Sequence, residues 1–370
     1  MSRLWRNVGV ASGVVAAAVG GIAVGVGARG AVIGRQLRKA ERNDPYADIG
    51  LGEIPADREY TVAADDGVPL AVEETLPAGG GTPDITVVLL HGWTLDQRMW
   101  HFQRFALSEM DSPKVRVLTY DHRSHGRSGR SRKSACTIEQ LARDLDAVLR
   151  VMVPEGPIVL VGHSMGGMTI MSLAEQRPDL FDERIRGVAL VNTSAGELGS
   201  YGLNGPILSP KNPLTQGIGR LARIQPDLVK LTRGLADDIE WGVIRGVAFG
   251  DKDVPLSLVN LMYEMINGCD VKAITDFMST LNTHNRLAAL PALARCQVSV
   301  IGGSADKLTP YEHSELMAAE IPEAELIEVS GAGHMVNLEA PDQVNEALAG
   351  LATRSVEEKR AGRRKWWKQA

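Results

Sequence analysis

The sequence predicts an α/β protein, with a mainly parallel β-sheet covered by helices on both faces and a helical segment inserted between two of its strands. Three observations carry this prediction. Short apolar runs recur between residues 59 and 329, and most stop at Gly, Asp, Asn or Ser, as strands buried on both faces do. Helical patterns lie between several of these runs, and such alternation calls for crossover connections and parallel pairing. Residues 195–290 break the rhythm, with several helical patterns, a loop-like segment at 199–213 and no convincing strand.

In chain order, residues 59–63 and 68–73 flank the turn signal Asp65-Asp66-Gly67 and read as a hairpin. Further strands are expected at 85–90, 115–120, 158–161, 188–191, 298–301 and 326–329. Helices are expected at 138–152, where Leu141, Leu145 and Leu149 recur on one face, and at 166–176, 313–320 and 343–352. Open α/β sheets bind ligands beyond the carboxyl ends of their strands, so an insertion leaving from that edge would roof a site. The expected division is a core of residues 43–194 and 291–353, a helical cap of 195–290, and two basic ends, 1–42 and 354–370.

With 44% hydrophobic and 23% charged residues, disorder along the whole chain is excluded. The net charge of −5 hides an uneven distribution. Residues 1–42 carry seven basic side chains against one acidic, and residues 354–370 seven against two. The body between them is therefore strongly acidic, which argues against nucleic acid as a partner, whereas basic ends suit anionic lipid. Cys136, Cys269 and Cys296 are odd in number and widely spaced, so they build neither a disulfide framework nor a zinc site.

From Val8 to Ala28 run 21 residues without a charge, enough as a helix to span a hydrocarbon core of roughly 30 Å. We read them as an uncleaved membrane anchor. A secretory signal peptide is the rival, although its apolar region is normally shorter and Val26-Gly27-Ala28 only partly matches a cleavage site. A helix packed on the protein itself is the third reading. Small residues such as Gly20-Gly21 would let two such helices dimerise. Two bases precede the run and five follow it, which places the body on the cytoplasmic side, with an exported or outward-facing body as the alternative. The tail ends in Arg363-Arg364-Lys365-Trp366-Trp367-Lys368-Gln369-Ala370, either a solvated segment or an interfacial one.

The chemistry begins where strand 158–161 runs into Gly162-His163-Ser164-Met165-Gly166-Gly167 and a helical pattern follows. Strand, sharp turn and helix are the context in which G-x-S-x-G is a nucleophile elbow. Gly162 and Gly166 allow the backbone a close approach, and Ser164 presents its hydroxyl. A serine hydroxyl is a weak nucleophile at neutral pH and needs a base, itself oriented by an acid. His334 lies in the glycine-rich loop after strand 326–329, and Asp306 in the loop after strand 298–301. Both loops leave the same sheet edge as the elbow.

From about Thr61 to Ala352 these features resemble the α/β-hydrolase superfamily, in which the triad runs in the order Ser, Asp, His. The resemblance implies a triad of Ser164, Asp306 and His334 and an oxyanion hole made by the backbone N–H groups of Trp93 and Met165, Trp93 belonging to a His91-Gly92-Trp93 element. Asp121-His122-Arg123-Ser124-His125-Gly126-Arg127-Ser128 is similar to the family's D-x-R-G-H-G-x-S loop, with Ser124 where glycine is usual. GHSMGG together with HGW looks like monoacylglycerol-lipase-like esterases and the cofactor-free perhydrolases. Serine at 164 argues against epoxide hydrolases and haloalkane dehalogenases.

His91, Asp121, His125 and His163 read as loop braces rather than reacting groups. Glu197 is an alternative acid, though serial order and loop pattern favour Asp306. His284 and His313 are expected on the surface. Leu258, Leu261, Met262 and Met265 form a helical stripe that reads as core, with the underside of a lid as the rival. The expected activity is cleavage of a carboxylic ester or related acyl bond of a small-molecule or lipid-like substrate through an acyl-enzyme, with no metal and no cofactor. Perhydrolase, thioesterase, amidase and C–C hydrolase are rivals on the same fold, as is a non-catalytic, membrane-tethered binding protein.

Overall fold

The computed structural model describes residues 44–196 and 244–367, with side chains to residue 357. The apolar run 8–28, the segment 199–213 and Glu197 lie outside the described residues. No helix among the described residues is long and apolar enough to cross a membrane.

Eight strands form one sheet: β1 Arg58–Ala63, β2 Pro69–Thr75, β3 Ile85–Leu90, β4 Val115–Tyr120, β5 Ile158–His163, β6 Ile185–Val191, β7 Gln297–Gly303 and β8 Glu325–Val329. Their spatial order is β1-β2-β4-β3-β5-β6-β7-β8. The hairpin β1–β2 pairs antiparallel, as does β2 with β4, and every other pairing is parallel. All six residues of β3 and of β5 are buried, which is why their sequence shows no polar alternation.

The sheet separates two apolar layers by the alternation of side chains along each strand. Val88, Leu90, Leu118, Leu160 and Leu190 pack on one side against α2 (Ile138–Met152) and α3 (Met165–Gln176). Val87, Leu89, Val117, Val161 and Ala189 face the other, against α1 (His101–Ser108) and the final helix. After α4 (Pro178–Glu183) and β6, the connection to β7 contains α5 (Leu256–Gly268) and α6 (Val271–Asn282). Leu258, Leu261, Met262 and Met265 of α5 lie in the second layer with Leu95 and Met99, so that stripe is core.

Two expectations need correction. His284 and His313 are not surface residues but buried, and both brace the segment after β6. His284 Nε2–H donates to the Ser194 carbonyl at 3.0 Å, and His313 Nδ1 lies 3.0 Å from Ser194 Oγ. The last helix does not stop at residue 352. After α7 (Glu312–Glu320) and β8, α8 runs from Pro341 to Trp367, because its later residues need no apolar stripe once good helix formers follow one another.

Candidate active site

The sheet's carboxyl edge gathers the loops that follow β3, β5, β6, β7 and β8. At the end of β5 the chain turns through Ser164, whose φ of 51° and ψ of −116° are rare for a residue with a side chain. Four hydrogen bonds hold it there. Its N–H donates to Val191 O at 3.0 Å, and its carbonyl accepts from Gly167 N–H (3.0 Å), Met168 N–H (3.2 Å) and Thr193 Oγ1 (2.6 Å). The conformation costs of order 1–3 kcal/mol on its own and persists because the surroundings over-determine it. The elbow glycines have a steric reason: a Cβ on Gly162 would lie 2.5 Å from the Gly166 carbonyl carbon, and one on Gly166 would lie 2.4 Å from Leu90 O.

Asp306 and His334 meet across two loops. His334 Nδ1 lies 2.8 Å from Asp306 Oδ2, and because a carboxylate only accepts, Nδ1 carries the proton. Thr309 Oγ1 donates to the same oxygen at 2.8 Å, while Leu308 and Thr309 N–H groups bind Oδ1 at 2.8 and 3.0 Å. Burial pushes the Asp306 carboxyl up, but facing His334 and the hydrogen bonds from His334 and Thr309 outweigh it and hold the carboxyl below its ordinary value. It is therefore ionised at neutral pH.

The glycine loop that carries His334 is tied down from several sides. Glu339 accepts from Gly333 N–H at 2.7 Å and from Gly250 N–H at 2.8 Å. Met335 N–H donates to Ala248 O at 3.0 Å, so the end of the β6–β7 insertion rests directly on this loop. His163, beside Ser164, donates its Nε2–H to the His334 carbonyl at 2.8 Å, joining elbow to histidine loop.

The segment after β3 lies against the elbow. A Cβ on Gly92 would stand 2.8 Å from His163 Nδ1 and 3.3 Å from Ser164 Cβ, so the backbone between His91 and Trp93 runs close against the elbow. His91 is fully buried, and its Nδ1–H reaches Gly92 O at 2.7 Å while its Nε2 accepts from His122 N–H at 2.9 Å. Those two bonds fix its tautomer. Burial depresses His91 and His163 to about 3 and His125 to about 4, so all three are neutral braces at pH 7. The Asp121 carboxylate accepts from Gln97 and Arg127 N–H groups at 2.9 and 2.8 Å. Ser124 takes the positive φ (65°) that glycine would take at no cost, and its hydroxyl accepts from Ser131 N–H at 2.9 Å.

Sequence reasoning did not single out Asn192, Thr309, Glu339 or Arg123. Arg123 is wholly buried, with both nitrogens of its fork 2.6 Å from the Asp144 carboxylate and a further pair of bonds to Asp66 at 2.9 and 3.0 Å. A polar residue at the end of an apolar strand was the available signal for Asn192. Arg123 stands at the arginine of the D-x-R-G-H-G-x-S-like loop, but its partners Asp144 and Asp66 lie 21 and 57 positions away. Among the described residues no group of His, Cys, Asp and Glu is arranged to hold a metal ion.

The Alpha/beta hydrolase family matches residues 87–347, a span from β3 to α8 that takes in all of these loops. The chain belongs to the α/β-hydrolase family. This hydrolase is 28% identical to the mouse sn-1-specific diacylglycerol lipase ABHD11, over 75% of the chain and 82% of that protein. It is 29% identical to the dihydrolipoyllysine-residue acetyltransferase component of the acetoin cleaving system of Pseudomonas putida, over 73% of the chain but only 63% of that protein. Among solved structures, a thermophilic esterase from Thermogutta terrifontis aligns with a TM-score of 0.63 at 24% identity, covering 80% of this chain and 99% of that one. The enol-lactonase from Burkholderia xenovorans LB400 aligns at 0.62 and 24% identity, covering 80% and 100%. These two likenesses concern the fold.

Proposed function

We propose that this α/β-hydrolase is a serine hydrolase that cleaves carboxylic esters or closely related acyl bonds, with Ser164 as nucleophile, His334 as general base and acid, and Asp306 as the orienting carboxylate. The observation that carries the reading is the 2.8 Å contact between His334 Nδ1 and an Asp306 carboxylate whose other lone pairs are already filled by Thr309 and Leu308. With Nδ1 protonated, Nε2 keeps a lone pair. That lone pair takes the Ser164 proton as Oγ attacks the acyl carbonyl carbon, and the negative charge moves to the carbonyl oxygen. Trp93 and Met165 N–H groups receive this charge, each such donor being worth about 2.7–4 kcal/mol. His334 Nε2–H then protonates the leaving oxygen as its bond to the acyl carbon breaks. Water repeats the sequence on the acyl-enzyme and frees Ser164.

Met165, Met168, Ile138, Leu141 and Phe277 form a buried apolar cluster beside the elbow, with Trp93 against it. Such a wall favours an apolar acyl or alcohol group of small or medium size, in line with the lipase and esterases the chain resembles. The run 8–28 then tethers the hydrolase to a membrane, with the body on the cytoplasmic side; protease digestion of the body from outside intact cells refutes that orientation.

A fluorophosphonate probe and a p-nitrophenyl ester series test the chemistry. Probe labelling and turnover are both expected, and both are lost in Ser164→Ala with the fold unchanged by circular dichroism. Ester turnover by verified Ser164→Ala protein refutes the proposal.

A further inference from the structure

Asn192 follows β6 where it meets the end of β7 and the loop after β8, and it is buried with a φ of 40°. Both hydrogens and the oxygen of its side-chain amide are engaged. Nδ2 donates one hydrogen to Gly333 O at 2.7 Å and the other to His334 O at 2.9 Å, while Oδ1 accepts from Gly303 N–H at 2.8 Å. Its own N–H donates to Ile301 O at 2.9 Å, fixing the residue against β7. Gly303 ends β7 and opens the loop that carries Asp306, and Gly333 and His334 belong to the loop after β8. One side chain therefore joins the backbone of the acid loop to the backbone of the histidine loop. The His334 carbonyl accepts a second bond from His163, the neighbour of Ser164. The amide and the imidazole together tie this one carbonyl to β6 and to the elbow.

No other residue type of similar size supplies this set of bonds. Aspartate offers no donor for the two carbonyls, and leucine offers neither donor nor acceptor. The left-handed backbone at 192 also suits asparagine better than most residues with a side chain.

We propose that Asn192 is a positioning residue, which sets the distance of the His334 imidazole from both Asp306 and Ser164 by holding the backbone of its loop. This rests on the serine-hydrolase reading given above. A shift of the loop by about 1 Å is enough to cost a hydrolase on the order of 100-fold in rate without touching the substrate pocket.

The test uses Asn192→Asp, which preserves volume, and the milder Asn192→Ser, whose hydroxyl still donates. Gln103→Leu serves as comparator, since Gln103 is also a buried amide, bonded to Asn337 O and Asn345 Oδ1 at 3.0 Å each, and lies on α1. The readouts are the rate constant and final stoichiometry of fluorophosphonate labelling, and kcat and KM for one p-nitrophenyl ester. Positioning predicts that Asn192→Asp labels to the wild-type stoichiometry with a rate constant about 10- to 100-fold lower, that kcat falls alike at unchanged KM, and that Asn192→Ser lies between. Gln103→Leu keeps wild-type constants in whatever fraction folds. A lower labelled fraction with an unchanged rate constant, in both Asn192 variants, makes the residue merely structural and overturns the proposal. Wild-type constants in both variants overturn it as well. If Ser164→Ala abolishes turnover while the Asn192 variants are normal, only the Asn192 proposal fails. If Ser164→Ala remains active, the serine-hydrolase reading fails and takes this one with it.

Discussion

Replacing Asp306 by asparagine changes one atom, and its effect follows from the four hydrogen bonds that surround the carboxylate. Oδ1 accepts two backbone N–H groups, from Leu308 and Thr309, and these donors cannot be reversed. The amide oxygen of the introduced asparagine must therefore occupy that side, which turns its NH2 towards Thr309 Oγ1 and His334 Nδ1. The threonine hydroxyl rotates and accepts. The imidazole has to present a lone pair at Nδ1, and its proton moves to Nε2. In that tautomer His334 has nothing with which to take the Ser164 proton, and the imidazolium also loses its counter-charge. A wrong tautomer in intact geometry lowers turnover by about 10⁴-fold in a Ser-His-Asp hydrolase, which is roughly 5 kcal/mol of barrier at 1.36 kcal/mol per decade. The assay is kcat/KM for a p-nitrophenyl ester at pH 7.5, with the labelling stoichiometry as a count of intact sites. A variant within about tenfold of wild type refutes the reasoning and reassigns the orienting acid.

Two further predictions concern the frame. Arg123→Met leaves Asp144 buried and unpaired and is expected to lower unfolding free energy by about 3–5 kcal/mol in urea titration, with much of the loss recovered in Arg123→Met/Asp144→Leu. The Asp121 carboxyl is pushed from 3.8 to about 7, chiefly by burial and further by Asp96, against the N–H groups of Arg127 and Gln97. The folded chain thus binds this proton more tightly than the unfolded chain does, so its contribution to stability is complete below about pH 4 and is lost as pH rises through about 7. Asp121→Asn flattens that slope between pH 4 and 7 in denaturant midpoints, and an unchanged slope refutes the assignment.

Every sheet strand was legible, two as β-like runs flanking Asp65-Asp66-Gly67 and six as short apolar runs most of which stop at a turn former, and the elbow was legible because two glycines and a serine occur where a strand meets a helix. Asp306 and His334 were readable as loop residues at the same sheet edge. What could not be read depends on contacts distant in the chain. His284 and His313 carry no local pattern, and their burial is decided by Ser194, 90 and 119 positions away. Arg123 is the arginine of a family-like loop, yet its burial shows only once the β1–β2 turn brings Asp66 to it from 57 positions upstream. Asn192 is marked in sequence only by its place at the end of an apolar strand, and its role depends on partners contributed by two other loops.

The buried histidines narrow the origin of any pH dependence in activity. His91, His122, His125 and His163 surround the elbow and the segment after β3, yet burial depresses all four, three of them to about 3 or 4. Each also has a ring nitrogen bonded to backbone. Burial holds all four towards the neutral form, so an ionisation seen in kcat/KM near neutral pH has its source in another group. Asp121 titrates within it and acts through the backbone it holds at residues 97 and 127. The Asp121→Asn protein therefore separates two sources by one measurement. An acid limb that survives the substitution has its source outside this loop, and a limb that vanishes shows that this loop governs the profile.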